Sequence, residues 1–440
     1  MTNTSNMTEG NAYKVFLGFF FPMLITNILQ QAYSFADSVI VGKILGDNAL
    51  GAVGNAAILI FLITGFIQGI INGFGVIIAQ RFGKGDENEL RKSVACSIKL
   101  SFIITAVLTC VSLLTLKKAL LIIKTPSPVF DDCFVYAAII FGGLFAASAY
   151  NLFTCILRSL GDSKTPLTAI IISSLLNIAL DLLLICVFKA GVGGAAAATV
   201  CAQGTSALIC FIKLKKIFCI QLERTNLQMD SKLCTELIKN GLPMAVMNSI
   251  TSVGCMLVQS YVNALGAVFT SAYAACSKYI NLFMLPSVTA GFAVSSFTSQ
   301  NHGAGKPERI RQGVKCGAYI GIVSYILLGS AMILFPQTLA SVMLTSCQAI
   351  EISSDFLRIT GFGFFTLDLL FVFRSAVQGM GKPLAPMCSG LLEMALRLTV
   401  IILLIDKIGF RAAAYAEVTA WVGALAMNFI AYRMNIKKLC

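Results

Sequence analysis

Asp37 and Asp181 stand inside apolar stretches of the chain, where a carboxylate is out of place. Holding one near the centre of a bilayer costs at least about 2.5–3.5 kcal/mol on insertion scales, so an unpaired acid there marks an ion or proton path. Gln30, Tyr33 and Asp37 are spaced i, i+3, i+7 and share one helical stripe, while Asn177 and Asp181 are spaced i, i+4. Such oxygen ligands suit a hard cation such as sodium, and the same acids suit a proton. Two carboxyl groups sharing a partly buried pocket cannot both ionise cheaply, so the pair would hold one proton or one cation and titrate as a unit. These residues leave the choice between H+ and Na+ open.

Other chemistries fit less well. The 15 cysteines are scattered without a CxxC and His302 is the one histidine, so they read as small apolar helix residues and no metal cluster or cofactor is expected. GDSKT at Gly161–Thr165 has Ser163 where a phosphate loop needs a glycine before Lys164, so ATP is not expected as the driving force. Asp131-Asp132 is a lone acidic pair at a span edge and reads as solvated. Glu393 and Arg397, four apart, can neutralise each other at membrane depth, and Asp368 and Glu417 are further acids of that half. No convergent set of nucleophile and base emerges, so the chain is expected not to be an enzyme.

The elements that must position these residues are membrane spans. Hydrophobic residues make up 57% of the 440, charged ones 12%, and mean hydropathy is +0.84, which excludes a soluble enzyme on a single anchor. About 20 apolar residues cross the hydrocarbon, and twelve such runs lie between residues 14 and 433. The first is too long for a signal peptide and carries Asn27, Gln30, Gln31 and Asp37, so it is expected to stay attached. The net charge of +13 follows topology and not nucleic acid: 22 loop Lys and Arg fall on one side and seven on the other. That bias predicts a multi-pass plasma-membrane protein with both termini cytoplasmic and one awkward external loop at Lys117–Lys124. Counted along spans at 1.5 Å per residue, Asp37, Asp181, Thr199 and Tyr136 all lie about 6–12 Å from their external ends, so they could meet in the outer part of the first half.

The chain also repeats itself. QRFGKGDENELR (Gln80–Arg91) and QNHGAGKPERIR (Gln300–Arg311) match at an offset of 220, Pro22-Met23 and Asn27 recur as Pro243-Met244 and Asn248, and Leu45-Gly46 recurs as Leu265-Gly266. RSLGDSKTPL from Arg158 resembles RSAVQGMGKPL from Arg374 with one residue inserted. Residues 1–216 and 236–440 thus read as two homologous six-helix lobes joined by a cytoplasmic linker, 217–235. Six is even, so both copies cross in the same sense, a plan suited to alternating access around a central cleft in a V-shaped all-α body. At the repeat offset Asp37 meets Leu257 or Val258, so ion coupling is lodged in the first lobe. Gly65, Gly69 and Gly73 form a small-residue face for close helix packing.

Pro22 followed by QQAYSFADSVIVGKILGDNALGAVG, LRSLGDSKTP, and NIALD at Asn177–Asp181 resemble the multidrug and toxic compound extrusion (MATE) transporters, most of all the bacterial branch with the DinF and MepA types. The likeness covers essentially the whole chain. It implies export of lipophilic cationic drugs or toxins by a monomer in exchange for H+ or Na+, antibiotic resistance being the family's usual consequence. It assigns Asp37, Asn177, Asp181, Thr199 and Tyr136 to the ion site and Pro22 to a hinge in the first helix. Substrate contacts expected in the cleft are Gln30, Tyr33, Asp368, Met256, Phe283, Met284 and Phe292, offering apolar, cation–π and acidic contacts. Thr251 replaces the glutamate that another branch uses for sodium in the second lobe. A related two-lobe carrier that flips lipid-linked oligosaccharide is the alternative, and it would want a cationic cleft for which Arg397 and Lys278 are the main candidates.

Overall fold

In hydrocarbon a segment must satisfy its own backbone hydrogen bonds, and the apolar runs are accordingly helices throughout. A computed structural model describes residues 6–123, 125–217 and 230–439; Lys124 and most of the expected linker, 218–229, lie outside them. The first half comprises α1 (Ala12–Leu45), α2 (Asp47–Lys84), α3 (Glu87–Ile122), α4 (Ser127–Gly142), α5 (Leu144–Ser159), α6 (Lys164–Asp181) continued by a π-helical stretch Leu182–Val187, and α7 (Gly191–Lys215). The second comprises α8 (Ser231–Ala264), α9 (Ala267–Phe283), α10 (Leu285–Gly303), α11 (Pro307–Ser324) with a π-helical stretch Tyr325–Gly329, α12 (Ser330–Leu334), α13 (Pro336–Met343), α14 (Cys347–Gly379), α15 (Leu384–Ile408) and α16 (Arg411–Leu439). Among the described residues ten helices are long and apolar enough to cross a membrane. The pairs α4–α5 and α9–α10 qualify jointly but bend by 47° and 41°, which makes twelve spans if each bent pair is one. Outward-facing side chains such as Leu114 and Ile122, 83% and 79% exposed, fit a lipid surround and would be poorly placed in water.

The repeat holds element by element. Helices starting at 12, 47, 87, 127, 164 and 191 have counterparts starting at 231, 267, 307, 347, 384 and 411, offsets of 219 or 220. The turns recur too: Gly46/Gly266, Gly85/Gly305 and Gly161/Gly381 all have positive φ, which only glycine adopts without cost. The Gly161/Gly381 turn corrects one detail of the sequence match. The structural register has no insertion, and Arg374 sits on α14 one helical turn before the position equivalent to Arg158. The break at Gly143 has no counterpart in α14; an added Cβ there would lie 2.3 Å from the Val200 side chain.

The contacts divide the chain into two units, one of Met1–Asn6 and Phe21–Ala245, the other of Met7–Phe20 and Val246–Cys440. Each repeat's first helix therefore begins in one unit and ends in the other, changing over within a turn of Pro22 in α1 and Pro243 in α8. A proline inside a helix removes one backbone hydrogen bond and favours a bend. The Thr26 hydroxyl donates to the Pro22 carbonyl (2.7 Å), a back-bond that favours bending further.

Both starting segments are tied down. In the second unit Arg309 donates to the carbonyls of Met7 (2.9 Å), Glu9 (3.0 Å) and Gly10 (2.7 Å), and Gln300 accepts from the Met7 amide (2.9 Å). In the first unit Arg81 pairs with Glu236 (3.0 Å), and the small-residue face of α2 packs on α8. A Cβ on Gly73 would come 2.4 Å from the Gly241 Cα, and one on Gly69 would come 2.4 Å from the Ala245 Cα. Gly73→Leu should accordingly cost at least about 3 kcal/mol by overpacking and reduce the yield of folded protein in fluorescence-detected size exclusion. Gly65→Ala, whose added Cβ would meet no atom within 4 Å, should leave that yield near wild type.

Candidate functional site

The first unit gathers three polar stripes. On α1, Gln30, Tyr33 and Asp37 rise along one face; on α6, Ser173, Asn177 and Asp181 follow at i, i+4, i+8; on α7, Thr199 and Gln203 do the same, with Ser206 below. Near the C-terminal ends of α1 and α6 the carboxyl groups of Asp37 and Asp181 lie close enough to interact, and Tyr33 and Tyr136 of α4 lie close enough to feel the charge of both. Asn177 and Asp181 are fully buried, and Asp37 and Tyr136 are also buried. Thr199 is half-buried one turn before Gln203 on α7.

Among the described residues no group donates a hydrogen bond to either oxygen of Asp181 or to Oδ1 of Asp37, and both amide atoms of Asn177 are likewise unmatched. Two carboxylates accept hydrogen bonds and cannot donate them unless one carries a proton, so their approach is costly while both are ionised. The π-helical stretch beginning at Leu182 directly follows Asp181, and such local widening of a helix is frequent at functional sites.

Towards the N-terminal halves of α1 and α6 from the acids lies a cavity of about 50 Å³ lined by Gln30, Tyr33, Tyr150, Asn151, Ser173 and Gln203, among others. The Ser206 hydroxyl donates to Ser173 (2.6 Å) at its wall. Drug-sized ligands need roughly 300–1,000 Å³ and a water about 10–15 Å³, so this space is scaled to water and ions. Tyr150, Asn151, Ser173, Gln203 and Ser206 were not singled out from the sequence. The polar spacing Ser173–Asn177–Asp181 and Thr199–Gln203 is the signal that could have found Ser173 and Gln203.

The second unit treats its buried charges differently. Arg374 reaches Glu393 (2.6 Å), Arg397 reaches Glu393 (2.8 Å) and Glu417 (2.9 Å), and the Tyr273 hydroxyl lies 3.5 Å from Glu417. The Glu393–Arg397 pairing expected from spacing is present, and it belongs to a four-residue network with two charges of each sign. Asp368 is fully buried on α14 against Gly321 of α11 and the Ser287 hydroxyl of α10. Met256 on α8 is 42% exposed, while Phe283 and Met284 at the α9–α10 break pack partly against the core and Phe292 is half-buried. At an offset of 220, Asp181 corresponds to Ile401, Asn177 to Arg397 and Tyr136 to Phe356, so the second unit fills the equivalent place with apolar groups and a neutralised arginine.

GDSKT also has a plain structural role. Asp162 accepts from the amides of Lys164 and Thr165 (3.0 Å each) and from the Thr165 hydroxyl (2.6 Å), using the donors a phosphate would need at the start of α6. The contrast between the two units yields a stability test by thermal unfolding in detergent. Glu393→Ala leaves two buried guanidinium groups short of a partner and should cost about 3–5 kcal/mol. Asp181→Asn removes a charge that no protein group satisfies and should leave the melting temperature equal or higher.

The MatE family profile matches residues 22–183 and again 243–403, one copy in each repeat. Probable multidrug resistance protein YoeA of Bacillus subtilis is 29% identical over 394 residues, 87% of this chain and 84% of that protein. The FAD transporter of Shewanella oneidensis is 23% identical over 87% of this chain and 86% of its own length. The crystal structure of a MATE protein in the bent conformation superposes with a TM-score of 0.93 at 20% identity, over 100% of this chain and 98% of that one, and so shares the fold. With two profile matches spanning most of both repeats, the chain belongs to the MatE family of multi-pass membrane transporters.

Proposed function

We propose that this protein is a secondary active exporter that exchanges lipophilic, often cationic compounds for H+ or Na+, with Asp37 and Asp181 as the ion site. The observation that carries this reading is the buried facing of two acids from α1 and α6 without a protein donor. Asn177 adds an oxygen one turn along α6 from Asp181, Tyr136 lies beside the acids, and Thr199 on α7 is a further oxygen of the proposed set. A coupling ion arriving from the outer side bridges the two carboxyls and draws α1 towards α6, and the bend at Pro22 transmits that shift along α1. Releasing the ion inward returns α1. Gln30 and Tyr33, on the same stripe one to two turns away, are placed to couple substrate departure to ion arrival.

Moving one charge down 100 mV supplies about 2.3 kcal/mol, enough for an approximately fifty-fold gradient if exchange is electrogenic. The excess of basic residues on one side supports cytoplasmic termini in the plasma membrane, and so export as the working direction. The flippase alternative draws little support from Arg397, whose charge is already met by Glu393 and Glu417. A relative that carries the name FAD transporter makes a flavin dinucleotide the first non-drug substrate to try.

Reconstituted in liposomes with a fluorescent lipophilic cation, the wild-type protein should move dye under an imposed proton or sodium gradient. Asp37→Asn and Asp181→Asn should each lower the gradient-driven rate at least a hundred-fold while remaining folded and monodisperse. Normal coupled transport by either variant would sink the assignment of the ion site.

A further inference from the structure

Cys96 on α3 and Cys234 at the start of α8 are 138 residues apart in sequence, yet their Sγ atoms lie 2.6 Å from one another. Both belong to the first unit, so their approach is part of its internal packing. Cys96 is one of the buried residues of an apolar cluster that includes Phe74, Leu100 and Leu237, and Cys234 packs against its edge. Cys96 is 3% exposed and Cys234 is half-buried, so one thiol of the pair is reachable from outside and the other is not. That is the arrangement of a thiol that meets an oxidant and a second that resolves the product.

We propose that Cys96 and Cys234 are a modification site for hydroperoxides, and that the disulfide they form staples the start of α8 to α3. The Cys234 thiolate attacks a peroxide oxygen; an S–O bond forms, the O–O bond breaks, and hydroxide leaves, taking a proton to become water. The sulfur of Cys96 then attacks the sulfenic sulfur of Cys234; the S–S bond forms, the S–O bond breaks, and a second water carries off the Cys96 proton. Two electrons pass from the two thiols to one hydroperoxide, and exchange with a small thiol reverses the change.

The position of the pair determines what the disulfide does. The segment Ser231–Ala245 is held on the first unit by the half-exposed Arg81–Glu236 pair and by glycine contacts, and the chain passes to the second unit only beyond Ala245. Exposed ion pairs hold weakly in water. A covalent link at Cys234 lies ahead of Pro243 and of that crossing, so it strengthens the docking without tying one unit to the other. The disulfide is therefore a staple and not a brake on transport.

The test uses the full-length protein in detergent and in liposomes, treated with hydrogen peroxide or with a reducing thiol. Non-reducing peptide mapping should recover the Cys96 and Cys234 peptides joined, two hydrogens lighter than their sum. Oxidation should raise the melting temperature by about 5 °C, an increase absent in Cys96→Ala and in Cys234→Ser. Absence of the joined peptide, or an equal rise in both variants, overturns the site. Gradient-driven transport should stay within twofold after oxidation; its loss in wild type but not in Cys96→Ala overturns the staple reading. The transport arm rests on the exporter reading, and failure of that reading shows as no transport by reduced protein, with the mapping and melting arms intact.

Discussion

Water is not available inside a bilayer to satisfy a charge, and the two halves of this protein answer that constraint in different ways. In the second unit the charges of Arg374, Glu393, Arg397 and Glu417 cancel through contacts of 2.6–2.9 Å, and Asp368 alone among its membrane-depth acids is buried with both carboxyl oxygens unmatched among the described residues. In the first unit Asp37 and Asp181 are buried without a protein donor and face each other. Burying a carboxyl group without a hydrogen-bond partner is costly, and that cost is the physical basis of the proposed ion site.

The repeat makes the contrast interpretable. Helix starts, turn glycines and the family match all recur at an offset close to 220, so the two units share a scaffold and differ in what was placed on it. Where the first unit has Asp37, Asn177, Asp181 and Tyr136, the second has Leu257 or Val258, Arg397, Ile401 and Phe356. One duplicated bundle thus keeps polar stripes beside a water-sized cavity, and the other carries an ion-paired network and the buried Asp368.

The chain passes from one unit to the other near two prolines, and close packing holds the segment that precedes each passage within its own unit. Gly69 and Gly73 let the backbone of α8 approach α2 so closely that any side chain would collide, while Arg309 clasps the carbonyls of Met7, Glu9 and Gly10 on the other unit. Both exchanged segments end near a proline, Pro22 or Pro243, where the helix has already lost a hydrogen bond and bends most cheaply.

Much of this was legible in the residues. Twelve apolar runs, the offset repeat and the membrane-depth acids follow from hydropathy and spacing, because a span must be apolar over a known length and a helix places i and i+4 on one face. The small-residue face of α2 was legible for the same reason, although its partner, Gly241 and Ala245, was not. Spacing along one helix says nothing about which other helix it meets. Only the tertiary structure showed that Glu393 bridges two arginines from different helices, that Cys234 meets Cys96, and that α1 and α8 each divide between units. Those facts depend on contacts between residues tens to hundreds of positions apart, which are set by how the helices pack and not by any local period.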